Sequence, residues 1–155
     1  MKVLVLNGPN INLLGLREPA IYGPRTYDDL LALLRDRADA LHVTLTFFQS
    51  NHEGALVDAI QQAYADHVDG ILINPAAYTH TSIAIPDALR AVRIPAVEVH
   101  ISDPDTREPF RHVSHVRSVC IATIAGRGLE GYLDALDLLL QHLNAHSDSA
   151  PAPAP

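Results

Sequence analysis

Short apolar runs alternate along the chain with segments of helical periodicity. The runs, rich in valine, isoleucine and leucine, cover residues 3–6, 70–74, 96–100 and 119–123, whereas residues 43–49 alternate and are rich in β-forming residues, which also predicts a strand. Apolar residues recur every three or four positions in segments 27–41, 53–65, 82–92 and 129–143. The first pattern is typical of buried strands and the second of amphipathic helices. The sequence therefore predicts strands that alternate with helices.

Buried strands followed by helices indicate a parallel sheet that is covered on both faces. Five such strands predict an α/β fold, a flavodoxin-like three-layer sandwich with the strand order 2-1-3-4-5, where the order is taken by analogy. Residues 1–145 are expected to form a single domain. The segment 146–155 is rich in alanine and proline and is expected to be a disordered tail.

The composition of the chain argues against several classes of partner and against a disulfide. The chain has 155 residues, of which 19% are charged, and its formal net charge is −7. This acidic balance argues against nucleic acid as a partner. The apolar runs fall far short of the roughly 20 residues of a membrane span, so no membrane partner is expected. Cys120 is the only cysteine, which excludes an intrachain disulfide and fits a reducing, cytoplasmic location.

Polar residues follow the predicted strands at their carboxyl ends, where ligands bind in an open parallel sheet. Glu98 and His100 lie two positions apart in the fourth strand and therefore share a face. A carboxylate and an imidazole placed together can act as an acid–base pair. They can equally form a structural polar contact that closes the end of the sheet, and the strand pattern leaves both interpretations open.

The loop between the first strand and the first helix holds a second candidate pair. Arg17 and Tyr22 are close enough in sequence for a folded loop to bring the guanidinium onto the phenol. A nearby cation lowers the pKa of a phenol from its usual value of about 10. Gly15 and Gly23 flank the pair as candidate hinges. From the residues alone, two exposed side chains on a surface loop are the favoured interpretation.

A third polar stretch follows the fourth strand. Arg111 suits a carboxylate, which an arginine can bind through two parallel hydrogen bonds, whereas Arg107 is interpreted as part of a solvated turn. The histidines and the cysteine show no convincing zinc-ligand spacing, so no metal is expected. The loop after the first strand, Asn7-Gly8-Pro9-Asn10, does not carry the G-x-G-x-x-G fingerprint of dinucleotide sites, which argues against a nucleotide cofactor.

Five motifs stand in order along the chain. They are LNGPNINLLGLREPAIYG at 6–23, QSNHEG at 49–54, NPAAYTHTSIAIPDAL at 74–89, VEVHISDPDTREPFRHVS at 97–114 and GRGLEGYLDAL at 126–136. Together they resemble the type II 3-dehydroquinate dehydratase family over residues 2–143. The sequence departs from the family at Ala76, where many relatives have glycine, so local backbone freedom is less. The resemblance favours the catalytic interpretation of both polar pairs.

The resemblance implies a lyase that converts 3-dehydroquinate to 3-dehydroshikimate by trans-dehydration through an enolate, in the shikimate pathway of aromatic amino-acid biosynthesis. The implied catalytic residues are Tyr22 as base, His100 as general acid, and Arg17, Asn10 and Glu98 in support. The implied substrate contacts are Asn74, His80, Ile101, Ser102, Arg111 and, from a neighbouring subunit, Asp87. The resemblance also implies one catalytic domain, no cofactor, and a dodecamer that is a tetramer of trimers.

Two other functions fit the same fold class. One is a different enzyme on this sheet, because a fold does not fix a function. The other is a non-catalytic flavodoxin-like binding module for a nucleotide or a partner protein. A flavin carrier would need a phosphate loop and stacking aromatic residues, whereas aromatic residues make up 5% of this chain. Turnover of dehydroquinate would separate the lyase from the binding module.

Overall fold

The computed structural model describes residues 1–16 and 24–147, in which five strands and four α-helices are present. The strands are β1 (Lys2–Asn7), β2 (Thr44–Gln49), β3 (Gly70–Asn74), β4 (Ala96–His100) and β5 (Ala122–Ala125). The helices are α1 (Tyr27–Leu41), α2 (Glu53–Ala65), α3 (Ala84–Val92) and α4 (Glu130–Ser147). None of these helices combines the length and the apolar character needed to cross a membrane.

The strands form one parallel sheet in the order β2-β1-β3-β4-β5, which confirms the predicted order. The carboxyl ends of the first three strands are in register, because Asn7 of β1 pairs with both Gln49 of β2 and Asn74 of β3. The loops after these strands therefore leave the sheet at one level. The polar segments of the sequence meet at this edge.

Neighbouring residues of the central strands bury their side chains on opposite faces of the sheet. One face packs against α1 and α4 in a core that includes Val3, Val5, Leu34, Tyr132 and Leu136. The other face packs against α2 and α3 in a core that includes Leu4, Leu6, Ile60, Ile73 and Leu89. Helices cover both faces, so the three-layer prediction is confirmed.

The chain leaves β1 through a backbone contact that requires glycine. The N–H of Gly8 donates to the carbonyl oxygen of Asn74 at 2.8 Å. A Cβ atom added at Gly8 would lie 2.3 Å from the carbonyl oxygen of Pro75, far inside contact distance. Glycine at this position therefore allows close backbone contact between the loops that follow β1 and β3 at the carboxyl edge of the sheet.

The fifth strand and the last helix differ most from their predicted bounds. The fifth strand begins at Ala122, not at residue 119, because Arg117–Val119 form a 3-10 turn and Cys120 packs on the core beside α2 and α3. The last helix continues from the predicted end at residue 143 to Ser147, since no glycine or proline interrupts it before Pro151. Its last two residues lie in the segment predicted as a tail, and the rest of that segment lies outside the described residues.

Candidate active site

A cleft opens at the carboxyl edge of the sheet, over the ends of β3 and β4. It is lined by Ile11, Asn74, Ala76, Ala77, His80, His100, Ile101, Ser102, Pro104, Arg107 and Arg111. The structure brings together here six predicted site residues, namely Asn74, His80, His100, Ile101, Ser102 and Arg111. They come from the ends of two strands and the loops that follow them, so the topology of the sheet explains why they meet.

The Glu98 carboxylate and the His100 imidazole form a buried pair at this cleft. Glu98 Oε1 lies 2.9 Å from His100 Nε2, and the two side chains are 0% and 8% exposed. Because a carboxylate only accepts hydrogen bonds, Nε2 is the donor, and Nδ1 is left for a group in the cleft. The prediction that the two side chains share a face is confirmed.

Two hydroxyl groups complete the hydrogen bonding of Glu98. Ser114 Oγ donates to Oε1 at 2.7 Å, and Thr123 Oγ1 donates to Oε2 at 3.0 Å. Burial tends to raise the pKa of Glu98, but the hydrogen bonds from His100, Ser114 and Thr123 outweigh it and hold the pKa below its ordinary value. Glu98 is therefore ionised at neutral pH and held in one orientation.

We expect Glu98→Gln to change how protein stability depends on pH. A carboxyl group whose pKa is lower in the folded state stabilises the fold above its unfolded pKa. This contribution is lost as the pH falls through the folded pKa. At neutral pH the variant should be less stable by about 1–3 kcal/mol, because an amide cannot accept all the hydrogen bonds that Glu98 accepts. The difference from wild type should shrink below a pH of about 4.3, the reference pKa of glutamate.

Urea unfolding at neutral and at acidic pH measures this difference in the free energy of unfolding. Glu53→Gln is the matched control, because it removes the same charge from the start of α2, outside the cleft. A difference between wild type and Glu98→Gln that stays constant as the pH falls would contradict the ionised, hydrogen-bonded state of Glu98.

Asn74 turns the chain at the end of β3. Its Oδ1 accepts the N–H of Ala76 at 3.1 Å, as in an Asx turn, and its Nδ2 donates to the hydroxyl of Tyr132 at 2.9 Å. Ala76 has a φ of 53°, in the left-handed region where glycine costs least. The reduced backbone freedom expected at Ala76 therefore falls on a residue that lines the cleft.

The His80 ring is a hydrogen-bond acceptor beside the cleft. Its Nδ1 lies 2.7 Å from the carbonyl oxygen of Val113, and since a carbonyl only accepts, Nδ1 carries the proton. Burial lowers the pKa of His80, and Arg111 lowers it further, although the bond to Val113 raises it. In the neutral ring, Nε2 is left as an acceptor suited to a ligand hydroxyl group.

Two arginines bring positive charge to the cleft. Arg111 Nε donates to the Glu108 carboxylate at 2.8 Å, and Arg107 Nε lies 3.5 Å from the same carboxylate. The Arg107 side chain is only 13% exposed and lines the cleft, so its interpretation as part of a solvated turn is wrong. Two short 3-10 turns, Pro104–Thr106 and Pro109–Arg111, bend this segment back onto the sheet edge. Guanidinium groups in this position suit an anionic ligand.

Besides Glu98, which is buried behind His100, two predicted site residues in the described part of the chain lie outside the cleft lining. Asn10 is exposed at the same edge of the sheet, and its N–H donates to Asn51 Oδ1 at 3.0 Å. Asp87 is exposed on α3, and its carboxylate accepts from Arg90 at 3.0 Å. This position of Asp87 agrees with a residue that serves a neighbouring subunit, which stays a prediction.

The predicted pair Arg17 and Tyr22 lies outside the described residues. Within residues 1–16 and 24–147, no group of three or more histidine, cysteine, aspartate or glutamate side chains could hold a metal ion. The described cleft offers an imidazole–carboxylate pair and two guanidinium groups, which together suit an anionic ligand.

The family model of dehydroquinase class II matches residues 1–140 of the chain. The chain belongs to this family. It is 54% identical over 140 residues to the 3-dehydroquinate dehydratase of Lachnoclostridium phytofermentans, with 90% of this chain and 97% of that protein covered. It is 57% identical over 141 residues to 3-dehydroquinate dehydratase 1 of Ralstonia nicotianae, with 90% of both chains covered.

Solved structures agree with this class II dehydroquinase assignment. The crystal structure of the type II dehydroquinase from Butyrivibrio crossotus matches with a TM-score of 0.89 and 50% identity, over 90% of this chain and 97% of that one. The type II dehydroquinase from Propionibacterium acnes matches with a TM-score of 0.84 and 45% identity, over 90% and 96% of the two chains. The flavodoxin-like fold is therefore that of the class II dehydroquinases.

Four residues around the site of this class II dehydroquinase were not predicted from the sequence, namely Arg107, Ser114, Thr123 and Tyr132. Three of them stand inside the quoted motifs, so the motifs signalled their importance but not their contacts. Thr123 ends an apolar run and carries no signal of its own.

Proposed function

We propose that the chain catalyses the trans-dehydration of 3-dehydroquinate to 3-dehydroshikimate, a step of the shikimate pathway, in the cleft beside Glu98 and His100. Family membership and identities above 50% to proteins named 3-dehydroquinate dehydratase support the reaction. The observation that carries the site is the buried Glu98–His100 hydrogen bond of 2.9 Å, because it gives the cleft an oriented imidazole.

In the first step, Tyr22 as tyrosinate removes a proton from C2 of the substrate. The neighbouring C3 ketone makes this proton acidic and takes up the electron pair as an enolate. Arg17 favours the deprotonated phenol and stabilises the charge that develops, and Asn10 holds a water at the enolate oxygen. The match of these three residues to the family motif at 6–23 supports their roles.

In the second step, the enolate returns to the ketone as a double bond forms between C1 and C2. The bond between C1 and its hydroxyl oxygen breaks, and His100 donates a proton so that the group leaves as water. Nδ1 is the donor in this step, because Nε2 of His100 is bonded to Glu98, so the reacting form of His100 is the imidazolium with a proton on both ring nitrogens. Tyr22 gains one proton and His100 loses one during the reaction. Proton exchange with solvent then returns both residues to their starting protonation states.

Substrate contacts follow from the polarity of the cleft. The backbone amides of Ile101 and Ser102, directly after β4, face the substrate carboxylate in this proposal. The His80 ring accepts from a substrate hydroxyl group, since its Nδ1 is used by Val113. Asn74 and Arg111 supply further hydrogen-bond donors on the two sides of the cleft.

The position of the only lysine supports an enolate and not a Schiff base. Lys2 is the first residue of β1, and its ammonium group donates to the carbonyl oxygen of Asp66 at 3.2 Å. The cleft lies at the opposite, carboxyl end of the strands. A covalent mechanism through a lysine amine would need that amine beside the substrate ketone.

Mixing purified protein with 3-dehydroquinate tests the proposal directly, because the product is a conjugated enone that absorbs ultraviolet light. We expect an absorbance increase whose rate scales with protein concentration. Binding of dehydroquinate without any increase would instead favour the non-catalytic flavodoxin-like module.

We also propose that the enzyme is a cytoplasmic dodecamer, a tetramer of trimers, in which Asp87 completes the cleft of a neighbouring subunit. The side chain of Asp87 is 64% exposed and lies outside the cleft of its own chain. A carboxylate in that position can reach a substrate only if a second chain packs against α3. Static light scattering should give a mass several times the 16.8 kDa of one chain.

Mixed assembly of two inactive variants tests the shared site. Asp87→Ala and His100→Ala should each lose most activity alone. When the two chains are assembled together, some sites combine an intact His100 with an intact Asp87 from the neighbour, and activity should return. An active monomer, or mixed oligomers that stay inactive, would remove Asp87 from the site of a neighbouring subunit.

A further inference from the structure

Tyr132 of α4 makes a buried polar contact with the carboxyl ends of two strands. Its side chain is 0% exposed and does not line the cleft, whereas its neighbour Asn74 does. The Tyr132 hydroxyl lies 2.6 Å from Oδ1 of Asn7, at the end of β1, and 2.9 Å from Nδ2 of Asn74, at the end of β3. A core residue of the helical layer is thus joined to the edge of the sheet.

The chemistry of the groups fixes the direction of each hydrogen bond in this network. Oδ1 of Asn7 can only accept, so the Tyr132 hydroxyl gives its hydrogen to Asn7. The hydroxyl oxygen then accepts from Nδ2 of Asn74. At the other end of the same amide, Oδ1 of Asn74 accepts the N–H of Ala76 at 3.1 Å. Both ends of the Asn74 amide are therefore held.

The donors and acceptors of this hydrogen-bond network stay the same over a wide range of pH. Burial raises the pKa of the Tyr132 phenol well above its usual value, so the phenol stays protonated and remains a donor to Asn7. Asn7 is itself 0% exposed, so water does not compete for this bond.

We propose that Tyr132 is a positioning residue for the dehydration, which fixes the amide of Asn74 so that it presents an N–H to the substrate. The inference rests on the proposed function, in which Asn74 contacts dehydroquinate. The Nδ2 group carries two hydrogens. The bond to Tyr132 uses one and thereby sets the direction of the other. Without the phenolic hydroxyl, the Asn74 amide loses one of its two anchors.

Tyr132→Phe tests the role with the smallest change, because it keeps the ring in the core and removes only the hydroxyl. We expect KM for dehydroquinate to rise about tenfold, the effect of losing roughly one hydrogen bond to the substrate, while kcat changes much less. A residue with only a structural role would lower the melting temperature and leave KM of the folded enzyme unchanged. Tyr64→Phe is the matched control, because Tyr64 is 66% exposed on α2.

Asn74→Ala shows whether the effect passes through Asn74. If Tyr132 acts by holding this amide, the double variant should have the same KM as Asn74→Ala alone. Additive effects of the two substitutions, or an unchanged KM in folded Tyr132→Phe, would overturn the inference.

The same assays separate this inference from the function on which it rests. Wild-type protein that does not convert dehydroquinate contradicts the proposed function and the inference together. An active wild type beside an unaltered Tyr132→Phe contradicts the inference alone. If Tyr132→Phe does not fold, Asn7→Ala decides, because it removes the acceptor of the phenolic hydrogen. A raised KM in that variant supports the role of Tyr132, and an unchanged KM overturns it.

Discussion

His100→Ala is expected to lower kcat for dehydration by about 10²–10⁴-fold, the usual contribution of a general acid. The departing hydroxide is a poor leaving group, so elimination is slow unless a proton reaches the oxygen as the bond breaks. The substitution should leave the fold intact, because Ser114 and Thr123 still donate hydrogen bonds to the Glu98 carboxylate.

Hydrogen exchange at C2 identifies which step His100 serves. In heavy water, His100→Ala should still exchange the C2 proton of dehydroquinate, since the base and the enolate site remain. His52→Ala is the matched control, because His52 is exposed at the start of α2. Turnover of His100→Ala close to that of wild type would mean that another group protonates the leaving oxygen.

Tyr22→Phe is expected to abolish both dehydration and exchange, with kcat reduced by at least about 10²–10⁴-fold. Phenylalanine keeps the ring and removes the only group that is proposed to take the C2 proton. Exchange and elimination should fall together, which distinguishes loss of the base from loss of the acid. Tyr64→Phe serves as the control for removal of a phenol at an exposed position.

Binding of a dehydroquinate analogue should survive in Tyr22→Phe, because phenylalanine keeps the ring and the substrate contacts proposed for the cleft residues are unchanged. Calorimetric titration of the variant measures this directly. A Tyr22→Phe enzyme that still exchanges the C2 proton at the wild-type rate would show that a different base acts.

The sequence predicted the sheet well because its signals are local. Each buried strand reads as an apolar run, and the placement of polar residues at strand ends follows from parallel topology. The prediction that Glu98 and His100 share a face needed only the two-residue period of a strand, and the structure confirms it. Helix α1 was predicted to the residue, since its apolar periodicity runs over its whole length.

Long-range partners could not be predicted in the same way. Ser114 and Thr123 are 16 and 25 residues away from Glu98 in the sequence. No local sequence pattern indicates that their hydroxyl groups form hydrogen bonds with this carboxylate. Tyr132 lies on the apolar face of its helix, so the sequence predicts that it is a core residue. The periodicity does not indicate which groups its hydroxyl contacts. Arg107 was misjudged because the 3-10 turns that bend its segment back onto the cleft carry no periodicity.

The only lysine of the sequence also determines how the protein is oriented when it is coupled to a surface through its amino groups. Lys2 is exposed at the start of β1, and the six residues of this strand span about 20 Å at roughly 3.3 Å per residue before the cleft edge is reached. Lysine-directed coupling to a solid support would therefore attach a chain at the end of the sheet that faces away from the cleft. Immobilised enzyme prepared in this way should present its clefts to the flowing solution without any engineered tag.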